Sequence, residues 1–252
     1  MIHSFLLIGQ SNAAGRGFFA EAEPLDICGG RLKVLRNGLW LNMFRPVNPD
    51  RSFSGTCLAE SFAKEYATAH PEADVGIIPC ADGGTQISQW MPGEILFDNA
   101  VNCARLAMRT STLKGIIWHQ GEGDCSDEKC EKYAERFTIM MTALKDALGC
   151  PDIPVMVGGL GDFLANYDPN STIPRFYSKM NSVLEALGES FPNCAFVPST
   201  ALPSNPDNLH FSAIALKEFG VRYYKAYETL EASDNAQSPE EVTTERTALE
   251  LL

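Results

Sequence analysis

Phe5-Leu6-Leu7-Ile8-Gly9-Gln10-Ser11-Asn12-Ala13-Ala14-Gly15 is an apolar run that breaks abruptly into a glycine, a serine and small residues. It reads as a buried strand ending on a tight turn, and open α/β sheets collect their ligands just beyond such strand ends. Four further short apolar runs follow, at 74–80, 115–119, 154–158 and 194–197, and amphipathic stretches lie between and after them at 56–69, 99–109, 127–148, 174–187 and 213–230. That alternation predicts an α/β domain whose central parallel sheet has about five strands joined by crossover helices. Ser126 and Ser212 stand where helix N-caps are expected, and Asp127 and Glu128 supply acids to the first turn after Ser126. The segment 16–54, with its Gly, Pro and Asn residues, reads as a long excursion over the face that carries the Ser11 turn.

At 252 residues and 27.6 kDa, the chain can bury one sizeable core. The expected organisation is one domain over 1–230, followed by an acidic, flexible tail over 231–252, where six acids face only Arg246. The net charge of −12 disfavours nucleic acid and anionic membranes as partners, so a neutral or weakly charged substrate fits better. Eight cysteines without a CxxC pair read as free thiols in a reducing compartment. Cys80 and Cys103 lie in apolar runs that look like core, and Cys125 with Cys130 is the pair where a disulfide would be sought first. The N-terminus has neither a basic leader nor a long apolar run, so a cytoplasmic location is expected.

The Ser11 turn lacks the Gly-Lys-Ser/Thr of a phosphate loop and the Gly-x-Gly-x-x-Gly of a dinucleotide site. Two readings remain for the serine, an N-cap or a nucleophile. A nucleophile needs a base, and four histidines are available. His3, heading a strand, and His70, ending a helix, read as surface residues, and His119 at a buried strand end as a structural one. His210 alone has a carboxylate at short spacing in a loop, in Asp207-Asn208-Leu209-His210-Phe211. Such a carboxylate can hold Nδ1 and leave Nε2 free to take the serine proton. Two other strand ends, running into Gly83-Gly84-Thr85 and into Gln120-Gly121-Glu122-Gly123-Asp124, offer backbone N–H groups and a side-chain amide for an oxyanion. This chemistry calls for no metal or organic cofactor.

In order along the chain, Gly9-Gln10-Ser11-Asn12, Gly83-Gly84-Thr85, Trp118-His119-Gln120-Gly121-Glu122 and Asp207-x-x-His210 resemble the SGNH-hydrolase superfamily. Within it they are most similar to the carbohydrate acetylesterase branch, sialate O-acetylesterase-like and acetylxylan-esterase-like, over about residues 3–220. The resemblance implies a flavodoxin-like, three-layer α/β/α sandwich over 1–230 and hydrolysis of O-acetyl or other short acyl esters on a carbohydrate. It implies Ser11 as nucleophile and His210 as base, with Asp207, or else Glu122, as the acid. The oxyanion donors would be the Ser11 N–H, the Gly83 or Gly84 N–H and the Gln120 amide. If Glu122 is not the acid, its alternative is to brace the loop around Gln10 or Asn12.

Gln10, Asn12, Arg16 and Trp90 are further candidates for binding substrate, and Arg16 or Arg45 could meet a carboxylate. Trp40, Trp90, Phe18, Phe19, Phe163 and Tyr167 could stack on sugar rings, although aromatic loop residues serve as often to cover a core edge. Rival readings are a catalytically silent carbohydrate-binding protein and a lipase or thioesterase of the same fold. Because a free histidine titrates near ~6.5, a His210 base implies activity that falls as pH drops through that region.

Overall fold

The computed structural model describes residues 1–249, with side chains as far as residue 233. Seven strands, β1 (Ile2–Gly9), β2 (Leu32–Arg36), β3 (Leu39–Asn42), β4 (Asp74–Pro79), β5 (Ser111–His119), β6 (Val155–Gly158) and β7 (Cys194–Val197), form one sheet in the order β3-β2-β4-β1-β5-β6-β7. Every pairing is parallel except β2 with β3. The five expected strands are the block from β4 to β7. The two extra ones form a hairpin inside the segment read as a loop excursion, turning at Asn37 (φ 48°) and Gly38 (φ 78°). An Asn-Gly pair between two short runs that carry apolar residues is a strong hairpin signal, because both positions of the turn need positive φ.

β1 alternates within a continuous apolar run, as a strand covered on both sides must. Leu6 and Ile8 pack into the layer formed by α3 (Ile95–Ala107), α4 (Asp127–Leu148) and α5 (Ile173–Ser190). Phe5 and Leu7 pack into the layer of α1 (Ser11–Ala14), α2 (Ala59–Ala69) and α6 (Ala213–Leu249). The result is a three-layer α/β/α sandwich. Each of these four side chains is fully buried, worth about 1.5–3 kcal/mol apiece.

The end of β1 is held very close to β5. A Cβ on Gly9 (φ 127°) would lie 2.1 Å from the His119 carbonyl oxygen, which accepts the Gln10 N–H at 2.9 Å. Only glycine fits there, and this contact sets the chain for the turn into Ser11.

Some local expectations need correction. Ser126 occupies the N-cap of α4 but makes no capping hydrogen bond, whereas the Ser212 hydroxyl accepts the Ala215 N–H at 3.2 Å and caps α6. α3 starts at Ile95 rather than 99, and α6 continues past 230 to Leu249. The acidic stretch set apart from 231 therefore begins inside that helix. Its side chains beyond 233, and residues 250–252 altogether, lie outside the described residues. All eight cysteines are free thiols, Cys125 and Cys130 included; Cys80 is buried and Cys103 partly so. Among the described residues no helix is long and apolar enough to cross a membrane.

Candidate active site

Ser11 begins α1 just beyond the carboxyl end of β1, between β4 and β5, and the loop ahead of α6 arrives over it from the far end of the chain. The His210 Nε2 lies 3.1 Å from the Ser11 Oγ, and its Nδ1 lies 2.7 Å from Asp207 Oδ2. Asp207 also accepts the N–H groups of Leu209 and His210, each at 3.0 Å, through Oδ1. One carboxylate thus folds its own loop and orients the imidazole. Burial pushes the Asp207 carboxyl up, but the hydrogen bonds from the His210 ring and those two N–H groups outweigh it and hold it below the usual carboxylate range. With Nδ1–H donating to a carboxylate, Nε2 is left to accept from the serine hydroxyl.

These residues open into a cavity of about 360 Å³ with Gly84, Phe53, Ile173 and Leu209 among its walls. A second cavity of about 360 Å³, between residues 21–26, α2 and the start of α6, contains Arg45 but none of Ser11, His210, Asp207, Glu122 or Gln120. Its Arg45 is paired with Glu60 at 2.8 Å, and its Lys64 with Asp26 at 2.9 Å.

The other candidates fall elsewhere. Glu122 is buried and does not reach His210: its Oε1 accepts from Asn12 Nδ2 at 2.6 Å and lies 3.5 Å from His119 Nε2. It therefore braces Asn12. Burial pushes the Glu122 carboxyl up, but His119 and the Asn12 amide bring it below its ordinary value. His119 is buried, as expected, with Nδ1 3.2 Å from the Tyr223 hydroxyl. His3 and His70 are only partly exposed, and His3 Nδ1 lies 2.9 Å from the Tyr66 hydroxyl.

Gln120 is fully buried, and its amide faces inward, toward Asp124 Oδ2 at 2.7 Å, the Thr85 carbonyl at 3.0 Å and Gln10 Oε1 at 3.1 Å. An amide with two hydrogens and three acceptors around it has none left for an oxyanion. Gln10 lines the cavity, and its Oε1 also accepts the Gly123 N–H at 3.1 Å, tying the Ser11 turn to the loop after β5. Asn12 is 1% exposed and Trp90 is 1% exposed, so neither can touch a substrate from where it stands. The Trp90 indole donates to the Thr85 hydroxyl at 3.1 Å inside the core.

Arg16 is 6% exposed and is clamped by both oxygens of Asp50, at 3.0 and 2.7 Å, and Arg45 is paired with Glu60; neither is free for a substrate carboxylate. Phe163 packs on Phe211 with ring centroids 4.9 Å apart, and neither it nor Trp40, Phe18, Phe19 or Tyr167 lines the cavity.

Several residues had no signal in the sequence. Asp50 Oδ2 accepts the Gly83 N–H at 2.8 Å, and Asn48 bonds Ala81 in both directions, at 2.9 and 3.0 Å. The end of the supposed excursion thus holds the loop after β4 in place. Phe53 and Arg51 stand at the mouth of the cavity, Arg51 bonded to Asp82 at 2.6 Å. Among the described residues the N–H groups of Ser11 and Gly84 have no acceptor within the protein.

A family model for carbohydrate esterases described as sialic acid-specific acetylesterases matches residues 1–229. A probable carbohydrate esterase of Arabidopsis thaliana is 26% identical over 245 residues, covering 88% of this chain and 89% of that one. Among solved structures, that Arabidopsis protein superimposes with a TM-score of 0.78 at 24% identity, covering 90% of this chain and 98% of the other. NanS gives 0.71 at 18% identity, with 92% and 98% covered. A carbohydrate acetylesterase from Xanthomonas citri gives 0.66 at 20%, with 90% of this chain and 56% of its own length covered. At these identities the superpositions speak for the fold.

Proposed function

The chain belongs to the carbohydrate esterase family of sialic acid-specific acetylesterases, and on that premise we propose that it removes O-acetyl groups from a sugar through an acyl-enzyme on Ser11. A carbohydrate esterase is a carboxylic ester hydrolase, which needs a nucleophile, a base and donors for a transient oxyanion. The observation that carries the reading is the unbroken line from Ser11 Oγ through the His210 ring to Asp207, with steps of 3.1 and 2.7 Å.

In this reading His210 Nε2 takes the Ser11 proton as Oγ attacks the acetyl carbonyl. The negative charge develops on the carbonyl oxygen, toward the Ser11 and Gly84 N–H groups. Gly83 is set aside as a donor because its N–H already serves Asp50, and Gln120 because its amide is spent internally. The imidazolium, steadied by Asp207, returns the proton to the sugar alcohol as it leaves. Water then repeats the attack on the acetyl-serine, with His210 again as base. Gly84 (φ 78°) has no atom within 4 Å of the place a Cβ would take, so the oxyanion side of the cavity is unobstructed.

Hydrolysis of p-nitrophenyl acetate by wild type and Ser11→Ala tests the chemistry: loss of turnover in the variant is expected, and equal rates would sink the proposal and favour a silent sugar-binding protein. Acetylated xylan oligomers, O-acetyl sialic acids and simple acetyl sugars, with products followed by mass spectrometry, identify the carrier. A series of esters from acetyl to decanoyl separates this reading from a lipase or thioesterase, which would gain rate with chain length.

A further inference from the structure

The nucleophile and its base lie on loops 199 positions apart in the chain, yet they must hold a hydrogen bond of 3.1 Å. The neighbour of the nucleophile spans that gap. Asn12 Oδ1 accepts the Phe211 N–H at 3.1 Å, and Asn12 Nδ2 donates to the Leu209 carbonyl at 3.2 Å. Leu209 and Phe211 are the two residues that flank His210. The second hydrogen of Nδ2 goes to Glu122 Oε1 at 2.6 Å. An amide has the two donors and the acceptor that this arrangement consumes; a carboxylate lacks the donors and a hydroxyl lacks the reach.

Glu122 decides which way that amide points. With the carboxylate beside Nδ2, the flipped amide would set two oxygens against each other, and the Leu209 and Phe211 bonds would both fail. Glu122 is itself anchored at the end of β5, 3.5 Å from His119 Nε2. The Tyr223 hydroxyl donates to the Trp118 carbonyl at 2.9 Å and lies 3.2 Å from His119 Nδ1. His119 is thereby fixed with Nε2 toward the carboxylate. Asn205 adds a parallel tie, donating its N–H to the His210 carbonyl at 2.7 Å and its amide to the Arg16 carbonyl at 2.9 Å.

We propose that Asn12, its amide set by the buried Glu122, is a positioning residue that acts on catalysis through His210, by clipping the backbone on both sides of the base to the turn that carries the nucleophile. The proposal rests on the reading of Ser11 and His210 as nucleophile and base. It differs from a general stabilising role because displacement of a reacting group by about 1 Å can cost up to 100-fold in rate without loss of the fold.

The test measures kcat and KM on p-nitrophenyl acetate for wild type, Asn12→Ala, Asn12→Asp, His210→Ala and the double variant Asn12→Ala/His210→Ala. Melting temperatures are taken in parallel. Asn12→Ala is expected to lower kcat by about 10- to 100-fold with KM within about threefold. In the His210→Ala background the same change is expected to cost nothing more, since the group it positions is gone. Asn12→Asp keeps the acceptor for Phe211 but has no hydrogen for Leu209 or Glu122; it should lose kcat similarly, and it serves if the alanine variant does not fold. Asn12 variants that turn over within twofold of wild type overturn the proposal. So does an Asn12→Ala loss as large in the His210→Ala background as in wild type. A His210→Ala enzyme as fast as wild type overturns the reading of the site, and this inference with it.

Discussion

The Asp50 carboxylate accepts the Gly83 N–H at 2.8 Å while the same oxygen takes Arg16 Nη2 at 2.7 Å. A buried charge pair therefore fixes the loop that faces Ser11, with side chains only 5% and 3% exposed. A Cβ on Gly83 would lie 2.4 Å from Arg16 Nη2 and 2.9 Å from Asp50 Oδ2, so the pair and the glycine fit only together. Asp50→Ala strands a buried guanidinium, which typically costs about 3–5 kcal/mol. A fall in melting temperature of roughly 6–20 °C is expected by calorimetry. A change below about 2 °C would show the pair to be dispensable.

The pH dependence of that stability has a definite sign. Burial pushes the Asp50 carboxyl up, but the hydrogen bonds from Arg16 and Ser54 and the Arg16 charge bring it below its ordinary value. A depressed carboxyl stabilises the fold above the unfolded value near ~3.9, and loses that contribution as pH falls through the folded value. The melting-temperature gap between wild type and Asp50→Asn should therefore be widest near neutral pH and shrink below about pH 4. A gap that is constant from pH 7 to pH 3 would contradict it.

Trp90 lies between β4 and α3, its ring 5.6 Å from that of Trp118 in an edge-to-face contact. Trp90→Ala should cost about 3–5 kcal/mol, as other emptied aromatic sites do. At a temperature where the variant is still folded, KM for acetylated substrates should stay within about twofold of wild type. A large rise in KM with an unchanged melting temperature would return Trp90 to the substrate.

The neighbouring Cys80 thiol favours the Cys103 thiolate on α3 and lowers the Cys103 pKa below that of an ordinary cysteine, against the effect of burial. Burial raises Cys28, Cys57, Cys125, Cys130 and Cys150, and it pushes Cys194 up to about 12. The thiolate is the form that alkylates. Brief iodoacetamide treatment near pH 7.5, followed by peptide mass spectrometry, should label Cys103 first. Faster labelling of Cys28 or Cys150 would refute this ordering.

What the sequence reveals and what it hides follow from contact range. Asp207 and His210 are legible because a three-residue spacing lets one side chain reach the other within a single loop, and Ser11 because a glycine break ends an apolar run. The five strands of the central block are legible for the same reason, each being a run of local hydrophobicity. The partner of Gly83 is not, since Asp50 lies 33 positions upstream in a segment without apolar periodicity. Gln120 stands at a strand tip where a donor is expected, yet the Tyr133 hydroxyl of α4 donates to its Oε1 at 2.7 Å and holds it in the core. The Asn37-Gly38 hairpin carries a local turn signal, but the glycines and prolines around it fit a loop equally well.

Under the proposed mechanism, the separation of Ser11 from His210 by 199 positions also governs when this protein can first act. Synthesis at about 5–20 residues per second puts the nucleophile outside the ribosome roughly 10–40 s before its base emerges. On that mechanism the serine has no partner to take its proton through that interval, and a chain cut short before residue 210 is expected to be inert. Activity would then appear only after the last loop has come back over the first strand, so a working molecule would be one in which the two ends of the catalytic domain have already met.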